Sequence, residues 1–145
     1  MSATALDTSV LVACLLSWHE SHASTLRALQ AALRSGRGLV VPLPALLEAY
    51  AVMTRLPAPH RLAPRTAFEL LAGSLEGRSV VVGLTGPEAW TLLRSLSVEG
   101  IAGGRAYDAA ILACAVKAGA KRLLTLDAAD FGRLDPHGIE IVVPA

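Results

Sequence analysis

Four acids in this chain lie beside runs that are otherwise apolar, and they are the residues best suited to chemistry. They are Asp7 within ALDTSVLVA, Glu48 after LVVPL, Asp108 within AYDAAILACAVKAG, and Asp127 directly after RLLTL. Each acid alone has an ordinary structural explanation, because Asp often caps a helix and a first-turn acid complements the helix dipole. Held within a few ångströms of one another, the four would repel and take up protons unless a cation were present.

An all-oxygen cluster without His or Cys favours a hard divalent cation, so we expect Mg²⁺, with Mn²⁺ as the alternative. Mg²⁺ keeps several waters and binds through one or two carboxylates together with substrate phosphate oxygens. Such an ion would orient and deprotonate water and offset charge in the transition state. The four acids therefore predict hydrolysis of a phosphodiester bond.

Short aliphatic runs alternate with helical stretches along the chain. The pattern predicts strands at 3–6, 39–43, 79–84, 122–126 and 139–143, and helices at 10–16, 21–34, 44–56, 64–77, 86–100 and 106–119. The strands lack polar alternation, which is typical of parallel strands covered on both faces. We therefore predict an α/β fold of one domain, residues 1–145: a three-layer α/β/α sandwich around a mostly parallel, about five-stranded sheet with right-handed crossovers.

This fold would bring the four acids to one edge of the sheet. Ligands of open parallel sheets bind outside the carboxyl ends of the strands. Asp7 and Asp127 follow predicted strands, whereas Glu48 and Asp108 lie in the first turns of helices that begin at the same edge. We therefore expect Asp7 to leave a core strand and point into a cleft.

The composition excludes several other classes of protein. The net charge of +1 gives no global field that would favour a nucleic-acid or membrane partner. Cys14 and Cys114 lie in apolar runs without a CxxC or Cys/His cluster, so we expect buried reduced thiols and no structural zinc. No secretion leader, membrane span, P-loop or dinucleotide-binding motif is evident. A soluble, cytoplasmic protein is expected.

The motifs LDTSVLVA, LLEAY, YDAAILACA and LLTLDAADF, in this order, resemble PIN-domain proteins, in particular the VapC-type toxins of bacterial toxin–antitoxin pairs. The resemblance extends from Ala5 to the closing GIEIVVP. It implies an Mg²⁺-dependent endoribonuclease, a VapB-like antitoxin partner and a homodimer. The substrate would be RNA, cut in single-stranded loops whose bases are reachable.

The resemblance also implies roles for individual residues. Asp7 and Asp108 would be the principal metal ligands, with Glu48 and Asp127 completing the site through water or by positioning the nucleophile. A second group of residues would support them: Ser9, Thr125, Asp130 and Arg105.

The second group leaves two alternatives open. Ser9 and Thr125 match small hydroxyl positions suited to hydrogen bonds that orient the ligands. Asp130 lies one turn beyond Asp127 and could share or take over its role. Arg105 either contacts a substrate phosphate or pairs with one of the acids.

Two further features of the sequence could serve either in binding or in ordinary structure. The basic stretch RLPAPHRLAPR could grip RNA phosphates or be a solvated loop. Trp18 and Trp90 are expected to be packing residues rather than platforms on which bases stack, with an interface as the alternative for Trp18. His19 and His22 are expected at the surface, near the start of a helix.

Competing functions remain at this point. An aspartate-dependent phosphatase would need a second Asp two residues after Asp7, where Ser9 stands, and a receiver domain would need an acidic pair and a lysine that are not evident. A catalytically inactive PIN-like module that binds RNA or protein is the third possibility. The intact set of four acids argues against it, because mutually repelling carboxylates are unfavourable without a cation.

Overall fold

The computed structural model describes residues 3–145, which form five short strands and seven helices. The strands are β1 (Thr4–Leu6), β2 (Leu39–Pro42), β3 (Val80–Val82), β4 (Arg122–Leu124) and β5 (Glu140–Val142). The helices are α1 (Thr8–Leu15), α2 (His22–Arg34), α3 (Leu43–Arg55), α4 (Pro64–Leu75), α5 (Gly86–Glu99), α6 (Arg105–Lys117) and α7 (Ala128–Phe131). All the predicted strands and helices are present, and their bounds differ from the predicted ones by two residues or fewer. Only the single-turn helix α7 was not predicted.

The five strands form one sheet in the order β3-β2-β1-β4-β5, and every neighbouring pair is parallel. The chain moves outward from β1 to β3, returns across the sheet to β4, and continues outward to β5. Right-handed crossovers that run in opposite directions place helices on opposite faces of a sheet. The predicted three-layer α/β/α sandwich is therefore confirmed, with a wholly parallel sheet.

The expectation that the strands are covered on both faces holds for the centre of the sheet and is wrong for β3. Residues of β1 and β2 are buried throughout, whereas Val80 and Val81 of β3 are exposed. β3 is an edge strand with a neighbour on one side only. The aliphatic sequence of β3 is therefore not evidence that this strand is buried.

The core is aliphatic, as the composition predicts. Its largest fully buried side chains include Leu6, Leu11, Met53, Ile111 and Leu123. Cys14 and Cys114 are free thiols within it. Among the described residues, no helix combines the length and apolar character needed to cross a membrane.

The register of the central strands determines which residues meet at the carboxyl edge. Leu6 of β1 pairs with Leu124 of β4, and the Asp7 backbone N–H donates to the Leu124 carbonyl oxygen at 2.9 Å. Asp7 and Thr125 therefore leave the sheet side by side. The order of strands reverses between β1 and β4, and such a switch point is where doubly wound sheets open a crevice for ligands.

Candidate active site

An open cleft of about 650 Å³ lies at this switch point. All four predicted acids line it, together with two further acids: Asp7, Glu48, Asp108, Asp127, Asp130 and Glu20. The convergence expected from the fold is thus what the structure shows. Glu20 was missed because it lies in the connection between α1 and α2, where no periodic pattern marks a position relative to the sheet.

Asp7 is held in the cleft wall by two hydroxyl groups. The side chain is only 5% exposed, and its Oδ2 accepts hydrogen bonds from Thr125 Oγ1 at 2.6 Å and from Ser9 Oγ at 3.0 Å. Each hydroxyl has a single proton, so the 3.3 Å contact between the two hydroxyl oxygens carries no hydrogen bond of its own. Because both bonds end on Oδ2, Oδ1 is the oxygen left for a ligand.

The two hydroxyls are themselves fixed by the backbone after β4. The Leu126 N–H donates to Ser9 Oγ and the Asp127 N–H donates to Thr125 Oγ1, both at 3.0 Å. These bonds orient the oxygen lone pairs toward the backbone and the protons toward Asp7. Ser9 and Thr125 therefore form the kind of supporting contact that the sequence suggests for them.

The carboxylate of Asp7 does not cap helix α1, although the sequence allows that role. Asp7 occupies the N-cap position of α1, yet its side chain makes no capping hydrogen bond. The same is true of Asp127 at the start of α7. Asp108 does lie in the first turn of α6, so it complements the helix dipole as well as lining the cleft.

Burial is the main influence on the Asp7 carboxyl and raises its pKa. The hydrogen bonds from Thr125 and Ser9 favour the ionised form and oppose this shift, while the negative charge of Asp127 adds to it. The Thr8 backbone N–H adds a further stabilising hydrogen bond, but the carboxylate remains short of compensating positive charge.

Asp108 is a second acid of the cleft whose pKa is raised by its surroundings. Burial raises its pKa to about 6, and the negative charges of Asp7, Asp130 and Glu48 contribute in the same direction. Arg105 opposes the shift. Acids from remote parts of the sequence therefore act on one another electrostatically.

Asp127 and Asp130, the alternatives for the fourth acid, occupy different parts of the cleft. The charge of Asp127 acts on Asp7, whereas the charge of Asp130 acts on Asp108. Arg105 Nη1 donates to the backbone carbonyl of Asp130 at 3.4 Å, and among the described residues it forms no ion pair with a carboxylate. Contact with a substrate phosphate remains the open prediction for Arg105.

The residues in the cleft fit a divalent cation that brings its own water. All the acidic donors are oxygens, but no three His, Cys, Asp or Glu side chains in residues 3–145 are grouped so that they could hold one ion by themselves. Mg²⁺ suits this arrangement, since it uses one or two carboxylates and fills its shell with water and phosphate oxygens.

Thr8 is a buried polar residue beside Asp7 whose hydroxyl is unsatisfied. It lies on the cleft wall, is 7% exposed, and its buried Oγ1 has no hydrogen-bond partner among the described residues. Buried hydroxyls normally have a partner. Removal of this hydroxyl should therefore cost no hydrogen bond among the described residues.

Thr8→Val should leave the free energy of unfolding of the metal-free protein unchanged or raise it by up to about 1–3 kcal/mol. Valine keeps the branched shape and removes a buried hydroxyl that has no partner. Thermal unfolding in EDTA measures the effect. Thr25→Val is the matched control, because the equally buried Thr25 hydroxyl donates to the Ser21 carbonyl at 2.8 Å and its removal should lower the Tm. Equal losses in both variants would show that Thr8 is satisfied in the folded protein.

Comparison with known proteins gives consistent matches over nearly the whole chain. The model of the PIN domain matches residues 4–135. Ribonuclease VapC40 of Mycobacterium tuberculosis is 39% identical over 121 residues, which are 83% of this chain and 84% of the relative. Ribonuclease VapC27 of the same species is 34% identical over 141 residues, 97% of this chain and 96% of the relative.

Solved structures of low sequence identity share the fold. The Mycobacterium tuberculosis toxin VapC20, described as cleaving the sarcin-ricin loop, superposes with a TM-score of 0.68 at 19% identity and covers 90% of this chain and 95% of its own. VapBC2 from Rickettsia felis, bound to a DNA fragment from its promoter, gives a TM-score of 0.67 at 15% identity, with 99% of each chain covered.

Proposed function

The chain belongs to the PIN-domain family, and on that premise we propose that it is the endoribonuclease toxin of a VapC-type toxin–antitoxin pair. The relatives of 34% and 39% identity are named ribonucleases. The observation that carries the proposal is the acidic cleft at the switch point of the sheet, with Asp7 and Asp108 on its walls. The described chain would act as one domain, in the cytoplasm, where cellular RNA is found.

Asp7 and Asp108 would hold Mg²⁺, or Mn²⁺ in its place, with Glu48 and Asp127 completing the site through water rather than by direct bonds to the ion. When bound, the ion lowers the pKa of water and stabilises negative charge on the phosphate under attack. The hydroxyls of Ser9 and Thr125 would keep Asp7 in the orientation needed for this, since both bond to Oδ2.

The other residues of the cleft would act on the substrate and on water. Arg105 faces no carboxylate at ion-pair distance among the described residues, so its guanidinium is available to a substrate phosphate. Glu48 and Asp127 would position the attacking water. Asp130, whose charge acts on Asp108, would share in this with Asp127.

The alternative functions have less support. In a phosphatase of the aspartate-dependent kind the residue two after the nucleophile is an acid, whereas here Ser9 donates a hydrogen bond back to Asp7. An inactive binding module would gain nothing from acids whose negative charges raise the pKa of Asp108, as those of Asp7, Asp130 and Glu48 do.

An antitoxin of the VapB type and a second copy of the chain are the proposed protein partners. The chain exposes apolar side chains around a groove between α3, α4 and β3, among them Leu47, Phe68 and Val81. Contiguous exposed apolar side chains usually mark an interface with another protein. This surface is separate from the acidic cleft.

Incubation of the purified chain with total RNA in Mg²⁺ tests the proposal. We expect discrete cleavage products whose ends can be mapped by sequencing. Excess EDTA should stop the reaction, and added Mg²⁺ or Mn²⁺ should restore it, because the carboxylates alone cannot neutralise the phosphate. Equal cleavage in excess EDTA would contradict the role of the metal. A folded protein that cuts no RNA with either ion would contradict the nuclease itself.

A further inference from the structure

Three aromatic rings from two remote segments lie in a row that starts at the cleft. His19 and Trp18 belong to the connection between α1 and α2, and His60 belongs to the connection between α3 and α4. The Trp18 ring centroid is 4.1 Å from that of His60, with 30° between the ring planes, and 6.0 Å from that of His19. His19 itself lines the acidic cleft. His19 therefore links the contacting rings of Trp18 and His60 to the cleft wall.

The central ring of the row is open to solvent. Trp18 is 48% exposed and Trp90 is 68% exposed, so the expectation that both are packing residues is wrong. His60 is exposed as well. A large aromatic ring that is about half exposed can receive another planar group by stacking.

The charge around the row favours a polyanion at its outer end. Arg61 follows His60, and its Nε donates to the Leu56 carbonyl at 2.8 Å. Neither Arg61 nor Arg55, the last residue of α3, forms an ion pair among the described residues. The cleft is acidic, so phosphates would be held by these free cations more readily than by the cleft walls.

We propose that His19, Trp18 and His60 form a subsite that stacks bases of single-stranded RNA next to the cleavage position. This inference rests on the proposed function, because it assumes that the cleft acts on RNA. Every base has a flat π-face, so stacking on exposed aromatic rings holds a single strand with little dependence on sequence. Trp18 is a positioning residue here, since it lies beside the cleft rather than among the groups that would contact the reacting phosphate.

Binding to a cleavage-deficient protein tests the subsite directly. Asp108→Asn serves as the background, and the probe is a short fluorescent single-stranded RNA of mixed sequence in Mg²⁺. Trp18→Ala should weaken binding by about tenfold or more, whereas Trp18→Phe should retain most of the affinity because it keeps a ring. Trp90→Ala is the matched control: Trp90 is 68% exposed on α5 and does not line the cleft, so affinity should not change.

A probe without bases separates stacking from attraction to phosphate. An abasic ribose-phosphate chain of the same length should bind the Trp18 variants and their parent protein equally. In addition, Trp90→Phe leaves Trp18 as the single tryptophan of the chain, since the sequence contains two. Its fluorescence should be quenched by the RNA and not by the abasic chain, and this measurement remains decisive even if Trp18→Ala does not fold.

The outcomes distinguish this subsite from the proposed function. If wild-type protein cuts RNA but Trp18→Ala binds the probe as the parent does and no quenching occurs, the subsite is overturned and the nuclease stands. If Trp18→Ala loses affinity for the cognate antitoxin and not for RNA, the row is a protein interface and the subsite is again overturned. If wild-type protein neither binds nor cuts RNA, both proposals fail.

Discussion

Asp7→Asn is expected to reduce RNA cleavage at least about 100-fold, because it removes the charge of a proposed metal ligand whose outer supporting contacts alone typically matter 10–100-fold. The amide oxygen can still accept the hydrogen bonds that Thr125 and Ser9 donate to Oδ2. The geometry of the cleft wall should therefore survive. A single-turnover cleavage assay in saturating Mg²⁺ measures the loss.

The same substitution should not destabilise the metal-free protein. Burial raises the pKa of Asp7, which means that the ionised side chain is unfavourable where it lies. A neutral amide of the same shape avoids this cost, so we expect the Tm in EDTA to be unchanged or higher. Loss of activity together with equal or greater stability is the combination that a purely structural acid would not give.

Asp135→Asn is the control for the Asp7 substitution. Asp135 is an exposed acid paired with His137 and does not line the acidic cleft, so the same chemical change should leave cleavage intact. If Asp7→Asn retained wild-type cleavage in Mg²⁺, the assignment of the cleft as the catalytic site would be wrong.

The fold could be predicted because its determinants are local. Aliphatic runs too short for a helix alternate with segments of helical period, and most of the switches between them are marked by Gly or Pro. Parallel strands share one carboxyl edge, so residues that follow the strands, such as Asp7 and Asp127, are brought together by topology alone.

The hydrogen bonds and ring contacts in and around the site could not be predicted in the same way. The bond from Thr125 to Asp7 joins residues 118 positions apart and depends on the register of β1 against β4. The placement of His60 on Trp18 depends on the path of two connections that carry no periodic pattern. The exposure of β3 follows from its place at the edge of the sheet, which an aliphatic run does not reveal.

Leu123→Ala should lower the free energy of unfolding by about 2–5 kcal/mol. Leu123 is 0% exposed in the middle of β4, which pairs with β1 on one side and β5 on the other. Truncation of this side chain leaves a cavity in the core. Because β4 is hydrogen-bonded to a strand on each side, the surrounding residues can move only partly into that cavity. Denaturant unfolding measures the change.

The Leu123 substitution should also disturb the cleft, because β4 leads directly to Thr125 and Thr125 donates the hydrogen bond that holds Asp7. Leu93→Ala is the matched control, since Leu93 is an exposed residue of α5 and its truncation should cost well under 1 kcal/mol. An unfolding midpoint for Leu123→Ala equal to that of the control would mean that the packing of the sheet, and with it the geometry of the acids, does not depend on the interior strand β4.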